Sequence, residues 1–446
     1  MTDASHIEVI AAGPSSSASA FDVDGVLVET FRRAVAAIDQ LGALRGVARP
    51  ARTIDRDHLL AYCTTTVHID RAPMPAWAEL SGVYATAGGR QLQAHRNFPQ
   101  HADGVVARLG CEPTKESVAA AMAERDAFEL EAELISDGMI GAVVRTLDEW
   151  DEHPHAAATH DLPLTSTSMV GDASPLAAGA GTSDAPLAGV RVVDCSRVLA
   201  GPVAGSMLAD GGADVVRGSA DHLPSVPIGV VATGFGKRNA SIDLRTPEGR
   251  AAMDDLLGDA EVFIDAYRPG ALAAHGYSPE RVAELRPGIV VVQISAFDWV
   301  GPWAGRRGFD SIVQTTTGVR HAGGAAALGG DGSPIGLPVQ ALDYATGFLA
   351  VALAGELLAR QRTDGGSLLG RTSLLRTRDE LVSRSGPRSF TPAAVAVPDG
   401  LFDELALDEA ASAAFGGSTV RAVRPLVGAW RSAPRALGTS PAHWAT

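Results

Sequence analysis

The pattern of hydrophobic and polar positions is most regular from residue 187 onward. Short apolar runs, such as 289–295 (IVVVQIS), alternate with segments that have helical spacing and clear start signals. Thr246 before Pro247 is one such start, a capping residue followed by a proline at the first helical position. Regular alternation of strand and helix indicates a parallel sheet with flanking helices, so we expect an α/β fold.

The segment 186–217 (PLAGVRVVDCSRVLAGPVAGSMLADGGADVVR) predicts strand, tight turn, helix and strand. Gly201 in the turn lets a ligand approach the backbone, and we place Pro202 at the first helical position. A helix that begins after such a turn directs its free N–H groups at anions. Taken alone, the segment predicts a nucleotide-like ligand.

The rest of the chain is less regular. The pattern divides it into a flexible leader (1–20), a helical segment with a small α+β domain (21–175), a linker of small residues (176–186), the regular α/β region (187–377) and a poorly defined C-terminal segment (378–446). Within the small domain, Gly88 and Gly89 separate two alternating segments, which predicts a hairpin. The residues 117–138 predict one helix that ends at Gly138.

Composition narrows the possible partners. The chain has 446 residues, a net charge of −15 and only two lysines, Lys115 and Lys237. No basic run is available for a phosphate backbone, which argues against nucleic acid as a partner. Arginine must therefore supply most contacts to anionic ligands.

Cysteine usage and the N-terminus bear on location. The three cysteines lie far apart without metal spacing, which suits a reduced compartment. Cys195, in an apolar strand, is expected to be a small buried hydrophobe. We find no signal peptide and no apolar stretch of about 20 residues. We therefore expect a cytoplasmic protein without a membrane partner.

Several motifs, in this order and spacing, carry a resemblance to a known family. They are RVLAGP, FGKRNASIDLRTPEGR, YRPGAL, GPWAGRRGFDSIVQ and QALDYATGFLAVALAGELLARQRT. Together they resemble the family III CoA-transferases, the group of formyl-CoA transferase, carnitine CoA-transferase and α-methylacyl-CoA racemase. The resemblance implies a Rossmann-like parallel-sheet domain with a smaller α+β domain. It also implies acyl-CoA and carboxylic acid substrates, no permanently bound cofactor or metal, and a homodimer, possibly interlocked.

The order of the two parts is unusual for that family. There, the 186–217 segment normally opens the chain, whereas here about 185 residues precede it. The block with YATAGGRQLQAHRN and FELEAELISDGMIGAVVRTLDEWDEHP resembles the family's small domain and comes first. This indicates a circularly permuted arrangement or a subfamily built in that order.

Asp343 in QALDYATGF matches the family's nucleophile. A carboxylate suits thioester exchange because its mixed anhydride with an acyl group is as reactive as the thioester. The carboxyl must be ionised, which an ordinary pKa of about 3.9 allows. From the residues alone, the favoured role of Asp343 is an N-cap for a helix that starts near Tyr344, and both roles can hold together.

Phe309 distinguishes two activities within the resemblance. The racemases carry a histidine at the matching position as one of their two acid/base groups, and phenylalanine cannot move a proton. Acyl-CoA transfer is therefore favoured over racemisation. A catalytically inactive CoA-binding relative is the other alternative.

Residues for CoA follow from the same resemblance. The adenine-side loop is matched by Arg197, Val198, Leu199 and Ala200. Arg245 matches a lysine that meets CoA phosphate groups, and Tyr267 matches an aromatic residue next to the adenine.

The chain departs from the family pattern at the CoA site. It has GSAD after ADVVR, Ala266 where asparagine is common, and Ala274 where arginine is common. Arg306 and Arg307 either compensate by contacting phosphate or form an exposed turn. The glycine-rich 323–332 either folds over the acyl group or is a mobile connection.

Two other motifs suggest different chemistry. FDVDGVLVET resembles the first motif of haloacid-dehalogenase-type phosphatases, with Asp22 as nucleophile and Asp24 as acid/base. That motif needs a buried strand before it, whereas SSSASA precedes it here, and no lysine occurs between 30 and 114. HPHAAATH (153–160) lacks the pattern of a metal site, so we expect a surface loop.

Overall fold

The computed structural model describes residues 4–11 and 17–444, so the predicted leader 1–20 lies partly outside the described residues. The strands are β1 Ile7–Ile10, β2 Arg52–Asp55, β3 Val67–Ile69, β4 Ala72–Pro73, β5 Gly82–Ala85, β6 Gln91–Ala94, β7 Gly141–Val143, β8 Ser166–Gly171, β9 Arg191–Cys195, β10 Asp214–Ser219, β11 Lys237–Ser241, β12 Val262–Asp265, β13 Val290–Ser295, β14 Ser367–Ser373, β15 Phe402–Ala406 and β16 Thr419–Val423. The helices are α1 Val23–Leu44, α2 Arg56–Tyr62, α3 Pro99–Leu109, α4 Lys115–Ala123, α5 Ala127–Ser136, α6 Leu147–Asp151, α7 Pro154–Thr159, α8 Ala200–Asp210, α9 Pro227–Ala232, α10 Pro247–Asp259, α11 Pro279–Leu285, α12 Asp310–Thr316, α13 Val319–Ala326, α14 Ala341–Asp364, α15 Leu374–Arg384 and α16 Glu409–Phe415.

A seven-stranded sheet in the order β11-β10-β9-β12-β13-β14-β8 forms the centre of the protein. All neighbouring strands are parallel except β8, which pairs antiparallel with β14 at one edge. The predicted α/β fold with a Rossmann-like parallel sheet is confirmed. The strand order reverses between β9 and β12, and ligands of such sheets bind at the carboxyl ends of strands where the order reverses.

The longest helix, α14, runs through the core. It is long and apolar enough to cross a membrane by composition, but 94% of its most apolar window is buried inside the protein. It packs along α1, where the rings of Phe31 and Phe348 meet edge to face at 5.0 Å. A Cβ on Gly355 would lie 2.9 Å from the Cβ of Ala37, so glycine lets the two helix backbones approach closely.

The small α+β unit is a three-stranded antiparallel sheet, β5-β6-β7, with helices α3, α4 and α5. The predicted hairpin is confirmed, and Gly88 and Gly89 both have positive φ angles in its turn. The predicted single helix over 117–138 is wrong. It is two helices, α4 and α5, because the side chain of Asp126 caps a new helix start by accepting from the N–H groups of Phe128 and Glu129.

Segments from both ends of the chain complete these units. Within the predicted range 21–175, α1 packs in the core of the large domain and β8 extends its sheet. Strands β15 and β16 from the C-terminal segment form one four-stranded sheet with β3 and β4, in which β16 pairs with β3. Residues 7–10 of the predicted leader form β1, which pairs with β2. Distant parts of the sequence therefore share single sheets and cores.

Candidate functional site

A cleft of about 590 Å³ opens at the carboxyl ends of β9 and β12, where the strand order reverses. The loops that follow these two strands form one wall. The small α+β unit contributes the opposite wall, with Phe98, His101 and Gly138. The two parts of the chain that the sequence separates therefore meet at one cleft within a single chain.

A second cavity, of about 410 Å³, lies beside the first. Three residues line both spaces: Val198, Phe309 and Asp343. The predicted nucleophile thus stands at the junction of two cavities. One cavity is large and bordered by several arginines, and the other is smaller.

Asp343 is the third residue of α14, which begins at Ala341, so the predicted helix-cap role is wrong. The Asp310 carboxylate performs that role from α12. Its Oδ2 accepts hydrogen bonds from the N–H groups of Leu342 at 2.8 Å and Asp343 at 3.0 Å. Asp310 thereby fixes the first turn of α14 and the carboxyl that it carries.

The Asp343 carboxyl is only 6% exposed, and burial raises its pKa well above the ordinary value. The negative charge of Asp310 raises that pKa further, whereas the Ala200 N–H at the start of α8 favours the ionised form. The expectation of an ordinary pKa for Asp343 is therefore wrong. Burial also raises the pKa of Asp310 to about 6, against hydrogen bonds from two backbone N–H groups and Gln314.

Buried hydrogen bonds fix the loop that carries the Ala200 N–H, and the backbone of this loop is strained. Lys237, 1% exposed, donates to the Asp194 carboxylate at 2.9 Å and to the Pro202 carbonyl at 2.6 Å. Val198 has a φ of +71°, a left-handed conformation that is costly for a β-branched residue. Strain at this position is maintained by the surrounding contacts, next to the predicted nucleophile.

The helix after this loop differs in detail from the prediction. It begins at Ala200, so Pro202 is its third residue and not its first. A Cβ on Gly201 would lie 2.4 Å from the Cβ of Ser196 and 2.8 Å from that of Ala266. The glycine and the alanine at 266 are thus explained by close packing of the turn against its neighbours.

The residues predicted to contact CoA gather around these cavities. Arg197, Val198, Ala200, Arg245 and Tyr267 line the larger cleft, and Leu199 lines the smaller cavity beside it. No observation tests their predicted roles, which remain predictions. The arrangement places cationic and aromatic side chains along one wall, as a phosphate-bearing nucleotide requires.

Individual contacts show how these side chains are held. The Arg197 guanidinium lies 5.1 Å from the Phe98 ring centroid and donates to the Pro224 carbonyl. Arg245 is ion-paired with Asp243 at 2.7 Å on the rim and is 57% exposed. Burial raises the pKa of Tyr267, so its hydroxyl stays neutral.

The two adjacent arginines have different environments. Arg306 is buried and lines the cleft, and it donates to Glu131 at 3.1 Å and to the Gly141 carbonyl at 2.8 Å, so the predicted exposed turn is wrong for this residue. Arg307 lines the cleft and donates to the Gly138 carbonyl at 2.8 Å. Arg268, in the YRPGAL motif, also lines the cleft, although sequence reasoning assigned it no role.

A histidine from the small unit lies against Phe309, the residue by which the family resemblance predicts transfer over racemisation. His95 stacks on Phe309 with ring centroids 4.2 Å apart, and it lines the second cavity. Burial lowers its pKa to about 3. No sequence signal linked these positions, because they come from different parts of the chain. His95 is therefore neutral and weakly basic.

The two remaining sequence motifs, FDVDGVLVET and HPHAAATH, form helices and packing contacts. Asp22 caps α1, accepting from the Gly25 N–H at 3.1 Å, so the phosphatase-like motif begins a helix. The predicted surface loop at 153–160 is wrong: most of it is α7, and His155 is fully buried and bonded to the Phe297 carbonyl. Across residues 4–11 and 17–444, no group of three potential ligand side chains is placed to hold a metal.

Comparisons with known proteins agree with the sequence resemblance. A sequence model of CoA-transferase family III matches residues 187–385. The succinate–glutarate CoA-transferase of Agrobacterium fabrum is 35% identical over 200 residues, covering 41% of this chain and 49% of the relative. Mouse succinyl-CoA:glutarate CoA-transferase is 32% identical, covering 41% of this chain and 44% of the relative. A CAIB/BAIF family protein from Brucella suis has 25% identity and a TM-score of 0.41, covering 51% and 65%.

The match is confined to one part of the chain. The chain spans about half the length of the curated relatives it matches. The matched region contains Asp343, the loop after β9 and the parallel sheet, and it lacks the small unit that forms the opposite wall. Over residues 187–385, this protein is therefore similar to CoA-transferase family III.

Proposed function

We propose that this protein transfers CoA from an acyl-CoA to a carboxylic acid, with Asp343 as the nucleophile. The observation that carries the proposal is the position of this buried carboxyl, in the first turn of α14 and at the junction of two cavities. The larger cavity, bordered by Arg197, Arg245 and Arg307, takes the CoA moiety. The smaller cavity takes the acyl group. The names of the relatives support transfer between carboxylic acids.

The first half of the reaction releases the donor acid. An Asp343 oxygen attacks the thioester carbonyl, the C–S bond breaks, and CoA leaves as a thiolate, which gives an acyl-aspartyl anhydride. The thiolate then attacks the aspartyl carbonyl. The anhydride C–O bond to the donor breaks, the donor leaves as a carboxylate, and an aspartyl-CoA thioester remains.

The second half runs the same steps in reverse order. The acceptor carboxylate attacks the aspartyl carbonyl and expels CoA thiolate. The thiolate attacks the acceptor carbonyl of the new anhydride, which forms the product thioester and frees the Asp343 carboxylate. Each step passes through an oxyanion near Asp343, and the role of stabilising it is assigned to the Ala200 N–H at the start of α8, because this group already hydrogen-bonds the Asp343 carboxyl.

Racemisation is the weaker alternative. Phe309 carries no titratable group, and the adjacent His95 has a pKa of about 3, so it is a poor proton acceptor at neutral pH. The site therefore offers a nucleophile without a matched acid/base partner for α-proton exchange.

Intact-protein mass spectrometry tests the proposal. Wild type, Asp343→Asn and Asp364→Asn are incubated with a panel of acyl-CoAs; Asp364 is the control because it is an exposed aspartate at the other end of the same helix. We expect a hydroxylamine-sensitive adduct on wild type and D364N, mapped to the peptide with Asp343, and none on D343N. CoA binding without any adduct would favour an inactive relative, and an adduct on D343N would place the nucleophile elsewhere.

Two expectations from the family resemblance remain part of this proposal. A homodimer is expected in solution, which light scattering of the purified protein tests. Cytoplasmic location is expected, which fractionation of cells that express the tagged full chain tests.

A further inference from the structure

The second cavity contains an arginine that the proposed chemistry leaves unused. Arg320, on α13, is half-buried and lines this cavity together with Asp343. Its Nε is enclosed and has no hydrogen-bond partner, and its Nη1 donates one long hydrogen bond, 3.5 Å, to the Gln93 Oε1. Among residues 4–11 and 17–444, no carboxylate forms an ion pair with Arg320. An enclosed guanidinium whose N–H donors lack acceptors indicates a site for an anionic ligand.

The nearby Asp310 carboxylate does not accept a hydrogen bond from the Arg320 guanidinium. Asp310 is close enough that its charge raises the pKa of Arg320, against the larger lowering by burial. Its oxygens, however, already accept from the N–H groups of Leu342 and Asp343 and from the Gln314 amide. Arg376, by comparison, is buried and paired directly with Asp298.

The remaining lining restricts what kind of anion fits. Apolar side chains, including Trp77, Ile228 and Leu337, form much of the wall, and Thr65 and Ser311 add neutral polar groups. His95 is the other titratable side chain on this wall besides Asp343, and its lowered pKa keeps it neutral. The cavity therefore combines one cation, apolar surface and the reactive carboxyl. A short aliphatic chain with an acid at each end matches all three.

We propose that the second cavity binds a dicarboxylic acid, whose near carboxyl reacts at Asp343 while its far carboxylate pairs with the Arg320 guanidinium. A guanidinium binds a carboxylate through two parallel N–H···O bonds, which gives both affinity and orientation. This inference rests on the proposed function for the near carboxyl. It goes further by assigning the substrate class and the residue that selects it.

The experiment compares acceptors of matched length in wild type and Arg320→Met. Succinate, glutarate and adipate are set against butyrate, valerate and hexanoate, with one acyl-CoA donor throughout, and kcat/KM is measured for each. Arg281→Met is the control, because Arg281 is an exposed arginine on α11 outside both cavities. We expect R320M to lose about 10- to 100-fold in kcat/KM for one dicarboxylate and to keep or improve its value for the matched monocarboxylate.

A direct binding measurement separates this inference from the proposed function. Calorimetric titration with the same acids needs no turnover, and thermal melting verifies that R320M is folded. If no acid accepts CoA but a dicarboxylate binds wild type at least tenfold more tightly than R320M, the transfer proposal fails and the dicarboxylate site stands. If transfer occurs and R320M changes dicarboxylates and monocarboxylates equally, the Arg320 inference is overturned and transfer stands. Equal binding of both acid classes to wild type and R320M also overturns it.

Discussion

Replacing Gly347 with alanine should lower both the stability of the fold and the rate of the reaction. Gly347 lies on α14 one turn after Asp343, facing the start of α8. A Cβ added there would lie 2.7 Å from the Ala200 carbonyl oxygen and 2.9 Å from a Val203 methyl. Both distances are shorter than van der Waals contact, and the nearest atom is backbone. The two helices must therefore move apart at the turn that holds the nucleophile.

The size of the effect follows from this geometry. Overpacking a well-packed core by one methyl costs about 1–3 kcal/mol of unfolding free energy. The shift also separates Asp343 from the Ala200 N–H, and a displacement of about 1 Å at a reacting group costs roughly 100-fold in rate. We therefore expect Gly347→Ala to lose about 1–3 kcal/mol of stability and about 100-fold in kcat.

Gly355 provides a matched control on the same helix. Its added Cβ would lie 2.9 Å from the Cβ of Ala37 on α1, a similar clash two turns further from the site. Urea unfolding and acyl-CoA turnover are measured for both variants. We expect similar losses of stability, with turnover reduced chiefly in G347A. Parallel losses of turnover in both variants, or full activity in G347A, would refute the reasoning.

The other predictions concern charged groups. Asp310→Asn removes the negative charge that raises the Asp343 pKa, so activity should extend to lower pH; a pH profile of kcat/KM whose acid limb stays in place would contradict this. Lys237→Met removes the ion pair of the buried Asp194 carboxylate and should lower the free energy of unfolding by about 3–5 kcal/mol. Lys115→Met, at an exposed position on α4, should change that free energy by at most about 0.5 kcal/mol in the same urea denaturation assay. Arg245→Ala should raise KM for acyl-CoA about 2- to 10-fold with kcat unchanged, less so at high salt, because the rim charge is exposed; an effect on kcat alone would assign it another role.

Local signals in the sequence were sufficient for the regular α/β region. Thr246 and Pro247 do begin α10, and the valine-rich runs do form neighbouring parallel strands. These features depend on residues close together in the chain. The same holds for the hairpin at Gly88 and Gly89 and for the burial of Cys195.

Contacts between distant segments were not accessible from one sequence. The capping of α14 by Asp310 depends on how α12 packs, and the spacing of the two residues gave no indication of it. The stacking of His95 on Phe309 and the free donors of Arg320 likewise arise only when the small unit closes on the large one. The raised pKa of Asp343 follows from burial, which a motif does not report.

The packing of α1 along α14 has a consequence for how the chain is made. α14 starts about 300 residues after α1 ends. At a synthesis rate of roughly 5–20 residues per second, α1 leaves the ribosome on the order of 15–60 s before its partner exists. Through that interval the part of its apolar face that packs on α14, including Phe31, lacks its native partner. We expect nascent chains to engage holdase chaperones at α1, and fragments that begin at residue 187 to aggregate unless α1 is supplied in trans.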